Sequence, residues 1–372
     1  MKLVETSYNS EDVTILLQDV KGKVPILDTA EREKLNQSGV HYSEMLPLEY
    51  RPTEKYMEIY EESLAKLSKL TAGAIHLLSE KLMHKFNGED FVIVSLARAG
   101  TPIGILLKRY MKYKHNLDCP HYSISIIRGK GIDVEAMRQI TDKYRAEKIQ
   151  FLDGWIGKGA ITRQLHEAVE ELKDLDIERY YGLNAELAAL SDPACETDLY
   201  GTRQDFLIPS ACLNATVSGL VSRTVKLKTM GDDELHGAIY YGEYKDVDKS
   251  IEFIDEVCKY FPNADEYTFK PSAAELDTTF KGLDEVKGIA EHFNIRDVNK
   301  VKPGIGETTR VLLRRLPDRV LVRKGLLNDT KEADNFAHIL RLCEEKGIPI
   351  EEYDLKKYNV CGIIKDISGS DV

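Results

Sequence analysis

The stretch that most constrains this chain is IQFLDGWIGKGAITRQLHEAV, running from Ile149 to Val169. Ile149, Phe151 and Leu152 form a short apolar run of the kind a buried strand uses, and Asp153 follows where the run ends. Gly154, Gly157 and Gly159 then fall within six residues, so the backbone can take positive φ and turn its amides towards an anion. From Ile161 the apolar positions Ile161, Leu165, Ala168 and Leu172 recur at helical spacing, and the N-terminal dipole of that helix also favours a phosphate. Strand, acid, glycine loop and helix therefore predict one phosphate-binding unit. A Walker loop does not fit, because Leu152 and Gly159 occupy places that Gly and Ser or Thr must fill around Gly157-Lys158. A dinucleotide fingerprint fits poorly, because its acid follows the loop by about 20 residues and Asp153 precedes it.

A second anion pocket is predicted in FVIVSLARAGTPIGILLKRY, Phe91 to Tyr110. Phe91 to Val94 read as a fully buried strand, and Ile103, Leu106, Leu107 and Tyr110 give helical periodicity afterwards. Between them, small residues let the backbone approach a ligand, Pro102 suits a first helical turn, and Arg98 offers a fork of donors to phosphate. The net charge of −11 argues against blanket binding to nucleic acid or anionic membrane, so any basic site must be local. The N-terminus lacks an export core and no run reaches membrane-span length, which predicts a cytoplasmic protein with no membrane partner. The six dispersed cysteines suit reduced thiols better than disulfides or a zinc site, and no metal site is predicted from protein ligands alone.

Residues 1 to about 50 are polar and interrupted by prolines, and read as an arm or cap. Glu54 to Phe86 carries a helical apolar stripe for one or two helices, with Gly73 as its strong interruption. Tyr122 to Ile127 alternates as a strand and leads into the basic turn Arg128-Gly129-Lys130-Gly131. YYGLNAELAAL supplies another buried strand ending at Ser191-Asp192, and Ser210 is placed to cap a helix with a small-residue face. Arg203, Asp205, Asn214 and Ser218 stand near it as candidates for a base pocket.

The Ile149–Val169 unit resembles the ribose-phosphate loop of type I phosphoribosyltransferases, with Asp153 on the first of the family's two acids and Gly154 in place of the second. The Arg98 loop is similar to the family's pyrophosphate loop, with Ala99 in place of a glycine, and the two loops come in the family's order. The resemblance implies an α/β fold with a parallel sheet and helices on both faces, and a Mg2+-dependent pentosyl transfer from phosphoribosyl pyrophosphate to an acceptor base. In that scheme Asp153 and Arg98 are the catalytic pair. Ala97, Ala99, Gly100 and Thr101 hold pyrophosphate, Arg128 and Lys130 close over it, and Gly154, Gly157, Lys158, Gly159, Ala160 and Thr162 hold the ribose phosphate. A protein that senses the donor without turning it over is the alternative, favoured by Gly154. Together with DFLIPSACLNATVSGLVSRT, the two loops resemble phosphoribosyltransferase-like proteins of bacterial tellurite-resistance and stress gene clusters, a family also labelled cysteine protease StiP. That label implies Cys212 as nucleophile with a distant histidine such as His236.

From about Gly282 the composition shifts to a small α/β/α unit with a basic island between Lys300 and Glu332. Lys302-Pro303-Gly304-Ile305-Gly306-Glu307-Thr308-Thr309-Arg310 resembles the Lys-x-Gly-x-Asn-Glu-x-Thr-Lys loop of Pelota-like and ribosomal kink-turn-binding proteins, with Gly306 replacing the asparagine. The resemblance implies structured RNA as partner, met by Gly304, Gly306, Glu307, Thr309, Arg310 and Arg314. The expected division is a catalytic domain over 1–280 and an RNA-binding domain over 281–372, with self-association left open.

Overall fold

The computed structural model describes residues 2–365 apart from 29–30, 33, 36–37, 270, 272 and 330–334. In chain order its first part contains β1 (Thr14–Ile15), α1 (Glu54–Lys85), β2 (Val92–Leu96), α2 (Gly100–His115), β3 (His121–Ile124), α3 (Val134–Thr141), β4 (Ile149–Trp155), α4 (Ala160–Leu175), β5 (Ala188–Ser191), β6 (Tyr200–Thr202) and α5 (Ser250–Cys258). The strands lie in the order β1-β3-β2-β4-β5-β6, and each neighbouring pair is parallel. Both faces are covered, which is why β2 reads as an unbroken buried run. Alternate side chains then feed two cores. Ile93 and Leu152 pack with α1 and α2, whereas Val94 and Phe151 pack with α3 and α4.

Local chemistry explains where the pattern deviates from expectation. Gly73 does not break α1, which runs unbroken for 32 residues. A Cβ there would sit 2.3 Å from the Tyr267 carbonyl oxygen, so the glycine serves close packing. The helix expected after Ser210 is replaced by two 3-10 turns, Pro209–Cys212 and Ala215–Val217, because Asn214 between them takes φ −108° and ψ −113°, outside the helical region. The expected Tyr122–Ile127 strand is divided, Ile126–Ile127 turning back through Arg128–Lys130 to pair antiparallel with Gly131–Ile132. Residues before α1 are woven into the body, since β1 forms the sheet edge and Gln18–Asp19 pairs with Gly237–Ala238.

The second part contains α6 (Gly282–His292), β7 (Val301–Pro303), α7 (Ile305–Arg314), β8 (Pro317–Arg323), α8 (Ala337–Lys346), β9 (Ile350–Tyr353) and β10 (Val360–Ile364). Its sheet order is β7-β10-β8-β9, parallel only between β8 and β9. Ile305, Leu312, Phe336 and Ile339 belong to the same core as α1, so the two parts share buried apolar surface. Tyr56 of α1 adds a hydrogen bond from its hydroxyl to the Leu313 carbonyl at 2.6 Å. Among the described residues no helix is long and apolar enough to cross a membrane.

Candidate functional site, a cationic cleft between the two sheets

The Arg98 loop leaves β2 and the Asp153 loop leaves the neighbouring strand β4, so the parallel register brings both to one sheet edge. Glycines let them touch. A Cβ on Gly100 would lie 2.7 Å from the Leu152 carbonyl oxygen, and one on Gly154 would lie 3.1 Å from that of Ala99. Gly159 takes φ +71° at the head of α4, where a side chain would collide with the Glu196 carboxyl. The opposite wall comes from the second sheet. Gly304, at φ +88°, approaches the Trp155 ring so closely that a Cβ would be 2.6 Å from it. Asp205 receives the Ile305 amide at 2.8 Å, the Lys158 ammonium donates to the Val298 carbonyl at 3.1 Å, and the Tyr358 hydroxyl donates to the Gly157 carbonyl.

A cleft of about 300 Å³ lies between these walls. Arg98, Arg128, Lys158, Lys302 and Arg310 line it, against the carboxyl groups of Asp153 and Glu307. Arg98 donates to the Val221 carbonyl at 3.3 Å and to Asn214 Oδ1 at 3.4 Å. Burial, reinforced by the neighbouring Lys302 and Arg128 charges, lowers the Lys158 ammonium to about 8. Burial pushes the Asp153 carboxyl up to about 7, opposed by the Gly154 amide donating to Oδ1 at 2.7 Å. Thr162, 6% exposed, lines the cleft with its hydroxyl unpartnered among the described residues, as is the Trp155 indole N–H. A cavity lined by several cations, with orphaned donors and the first-turn amides of α4, is suited to an anion. Among the described residues no group of three or more His, Cys, Asp or Glu is placed for a metal, so side chains alone offer magnesium no complete site there.

Residues 6–258 match the family model described as tellurite-like stress resistance cysteine protease StiP, and residues 280–366 match the PELOTA RNA binding domain. The chain is 36% identical over 350 residues to a protein named cysteine protease StiP from Acinetobacter baylyi, covering 90% of this chain and 88% of that one. The chain belongs to the StiP family. No solved structure matches it.

Membership in StiP overturns the expectation of a Mg2+-dependent phosphoribosyl transfer, because the family and the relative are described as a cysteine protease, a hydrolase rather than a glycosyltransferase. The site chemistry runs the same way. Transfer chemistry expects paired acids on the ribose, whereas this StiP-family chain has one carboxyl, Asp153, raised by burial and tied to the glycine that replaces the second.

The cleft of the StiP-family chain gathers Arg98, Ala99, Arg128 and Asp153 with Gly154, Gly157, Lys158, Gly159, Ala160 and Thr162. Gly306, Glu307 and Arg310 face them from the second sheet. Other expected residues lie outside it. Ala97 and Gly100 are backbone spacers behind the wall, Thr101 bonds Ser123 Oγ at 2.7 Å within the sheet, and Lys130 is exposed on its hairpin turn. Gly304 is sealed against Trp155, and the Thr309 hydroxyl is taken by the Ile305 carbonyl at 2.7 Å and His338 Nε2 at 2.8 Å. The Arg314 side chain lies outside the described residues.

The StiP label directs attention to thiols. Cys212 is fully buried with Sγ 3.5 Å from Ser63 Oγ of α1. His236 is engaged elsewhere, its Nδ1 with Ser125 Oγ at 2.8 Å and its backbone amide with Asp133, and burial lowers its imidazole to about 3. The supposed pair thus has separate hydrogen-bond neighbours. Sequence reasoning missed Trp155 and Phe206 as cleft residues, although Trp155 is the chain's only tryptophan and directly follows the Asp153-Gly154 step. Of the base-pocket candidates only Ser218 lines the cleft, while Arg203 is buried in an ion pair with Asp192.

Proposed function

We propose that this StiP-family chain binds RNA in the cleft between its two sheets, as part of the stress resistance that its family description names. The observation that carries this is the convergence of Arg98, Arg128, Lys158, Lys302 and Arg310 on one cavity of an otherwise acidic chain, with a PELOTA RNA binding domain forming one wall. The body is read as a type I phosphoribosyltransferase-like scaffold put to binding rather than transfer. Support for this lies in the order of the Arg98 and Asp153 loops on adjacent parallel strands. Phosphate contacts give affinity that falls with salt, by a slope of about 0.7 per contact for single strands. Fluorescence anisotropy with the full chain is expected to show salt-sensitive RNA binding. Arg310→Glu is expected to weaken it roughly tenfold or more and to flatten the slope by about one contact. Equal binding by both proteins at every salt concentration would remove Arg310 and its wall from the reading.

A second reading is the peptidase activity in the relative's name, with Cys212 as nucleophile. It is favoured by one observation: Ser210, Ala211 and Leu213 line the cleft, so the turn carrying Cys212 forms part of its wall. A fully buried thiol must be exposed before it can attack, and a thiolate needs a cationic or imidazole neighbour to form readily. Iodoacetamide is therefore expected to leave Cys212 unmodified in the native protein. If the peptidase reading holds, Cys212→Ala abolishes hydrolysis of unfolded casein while RNA binding persists. Hydrolysis that survives Cys212→Ala excludes this residue as the nucleophile.

A further inference from the structure

Pelota-type loops are expected to meet folded RNA on an open face, yet here the loop is roofed by the body. Gly304 lies against Trp155, the Asp205 carboxylate occupies the amide at the head of α7, and Lys158 and Tyr358 tie the two walls together. From this loop Lys302, Pro303, Gly306, Glu307 and Arg310 line the cleft. A double helix, whose major groove alone is about 12 Å wide, is too bulky to enter a cavity of this size. A volume of about 300 Å³ has room for a ligand of nucleotide size.

The far wall is built differently from the Arg310 side. Thr162, in the first turn of α4, lines the cleft and is 94% removed from solvent, and its buried hydroxyl is unpartnered among the described residues. Lys158 and the amides of that first turn stand beside it, a donor set matched to a phosphate with three terminal oxygens. Phe206, Ile208 and Leu213 supply an apolar wall against which an unstacked base can lie, and the Trp155 indole N–H is a further unused donor. Phosphate donors, an apolar wall and further cations in one cavity are together what a single nucleotide with its chain leading out requires.

We infer that the cleft takes the phosphorylated end of a single-stranded RNA, the terminal phosphate seated on the Lys158–Thr162 loop and the next phosphodiester at Arg310 and Lys302. This rests on the RNA reading above and replaces folded RNA with a strand end as its target. A terminal phosphomonoester is the shared chemistry of 5′- and 3′-phosphorylated ends, so both are probes. The full chain is titrated with a fluorescent octanucleotide bearing a 5′-phosphate, a 3′-phosphate or hydroxyl ends, and with a kink-turn hairpin and a blunt duplex.

One phosphorylated form is expected to bind at least about tenfold more tightly than the hydroxyl-ended strand, as charge-assisted hydrogen bonds require, and more tightly than hairpin or duplex. Thr162→Val is expected to reduce that advantage to less than about threefold, and Thr162→Ser to retain it, both proteins melting within a few degrees of the wild type. Equal or tighter binding of hairpin or duplex overturns the inference and leaves RNA binding standing. So does a phosphate that adds nothing. Absence of binding to any probe overturns both readings.

Discussion

Replacing Asp205 with alanine is expected to destabilise the protein by about 3 kcal/mol, because two buried amides lose their acceptor at once. Asp205 is 4% exposed, and its two carboxylate oxygens accept the Ile305 and Asn359 amides, each at 2.8 Å. The first is the leading N–H of α7, where a carboxylate also meets the positive end of the helix dipole. The Asp205 backbone carbonyl accepts a further bond from Asn359 Nδ2 at 3.1 Å, which the substitution spares. Asp205→Asn keeps one acceptor and is expected to cost roughly half as much. Urea unfolding at pH 7 measures both. An alanine variant as stable as the wild type would show that the second sheet is held by its apolar contacts with α1 and its other hydrogen bonds to the body, without Asp205. Because this carboxylate fixes the wall that carries Glu307 and Arg310, RNA affinity is expected to fall in parallel.

Asp153→Asn is expected to make the protein more stable at pH 8 and to leave it unchanged at pH 4. The folded value of about 7 lies above the ordinary carboxyl value, so the neutral acid is the form the fold tolerates. Its stabilising contribution is whole below about pH 4 and is lost as pH rises through 7. The full shift corresponds to about 4 kcal/mol, and the opening of this residue to the cleft reduces that to roughly 2 kcal/mol. Thermal melts of the two proteins from pH 4 to pH 9 should diverge across this window, and parallel curves would refute the assignment.

The same titration acts on ligand binding. Above pH 7 the cleft gains the Asp153 charge, and near 8 it loses that of Lys158, so affinity for a phosphate is expected to drop across both steps. In Asp153→Asn only the Lys158 step remains.

Both loop-and-helix units were legible as local chemistry. An apolar run, a carboxylate and three glycines before a helical stripe admit few structures, and β4, its loop and α4 follow that pattern except that β4 runs on past Asp153 to Trp155. The transfer activity attached to the loops by resemblance failed, since Gly154 removes the partner acid that such chemistry needs and the family is described as a protease. Thr101 and Thr309 illustrate a different limit. Each has the polarity and position of a ligand contact, yet each is drawn into an internal hydrogen bond by a residue far away in sequence, Ser123 in one case and His338 in the other. Side-chain direction at a loop end depends on which neighbour arrives there, and neighbours from other elements leave no periodic trace.

By itself the sequence determined the alternation of buried strands and amphipathic helices, the two glycine-bearing loops and the basic island of the second unit, because propensity, burial pattern and backbone freedom act over a few residues. Only the tertiary structure decided that the two loops share one sheet edge, that the island's loop turns inward against Trp155 and Asp205, and that Cys212 and His236 have different neighbours. Each of these depends on contacts between residues far apart in the chain, such as Asp205 with Ile305 and Lys158 with Val298, whose pairing is set by the shape and desolvation of whole surfaces.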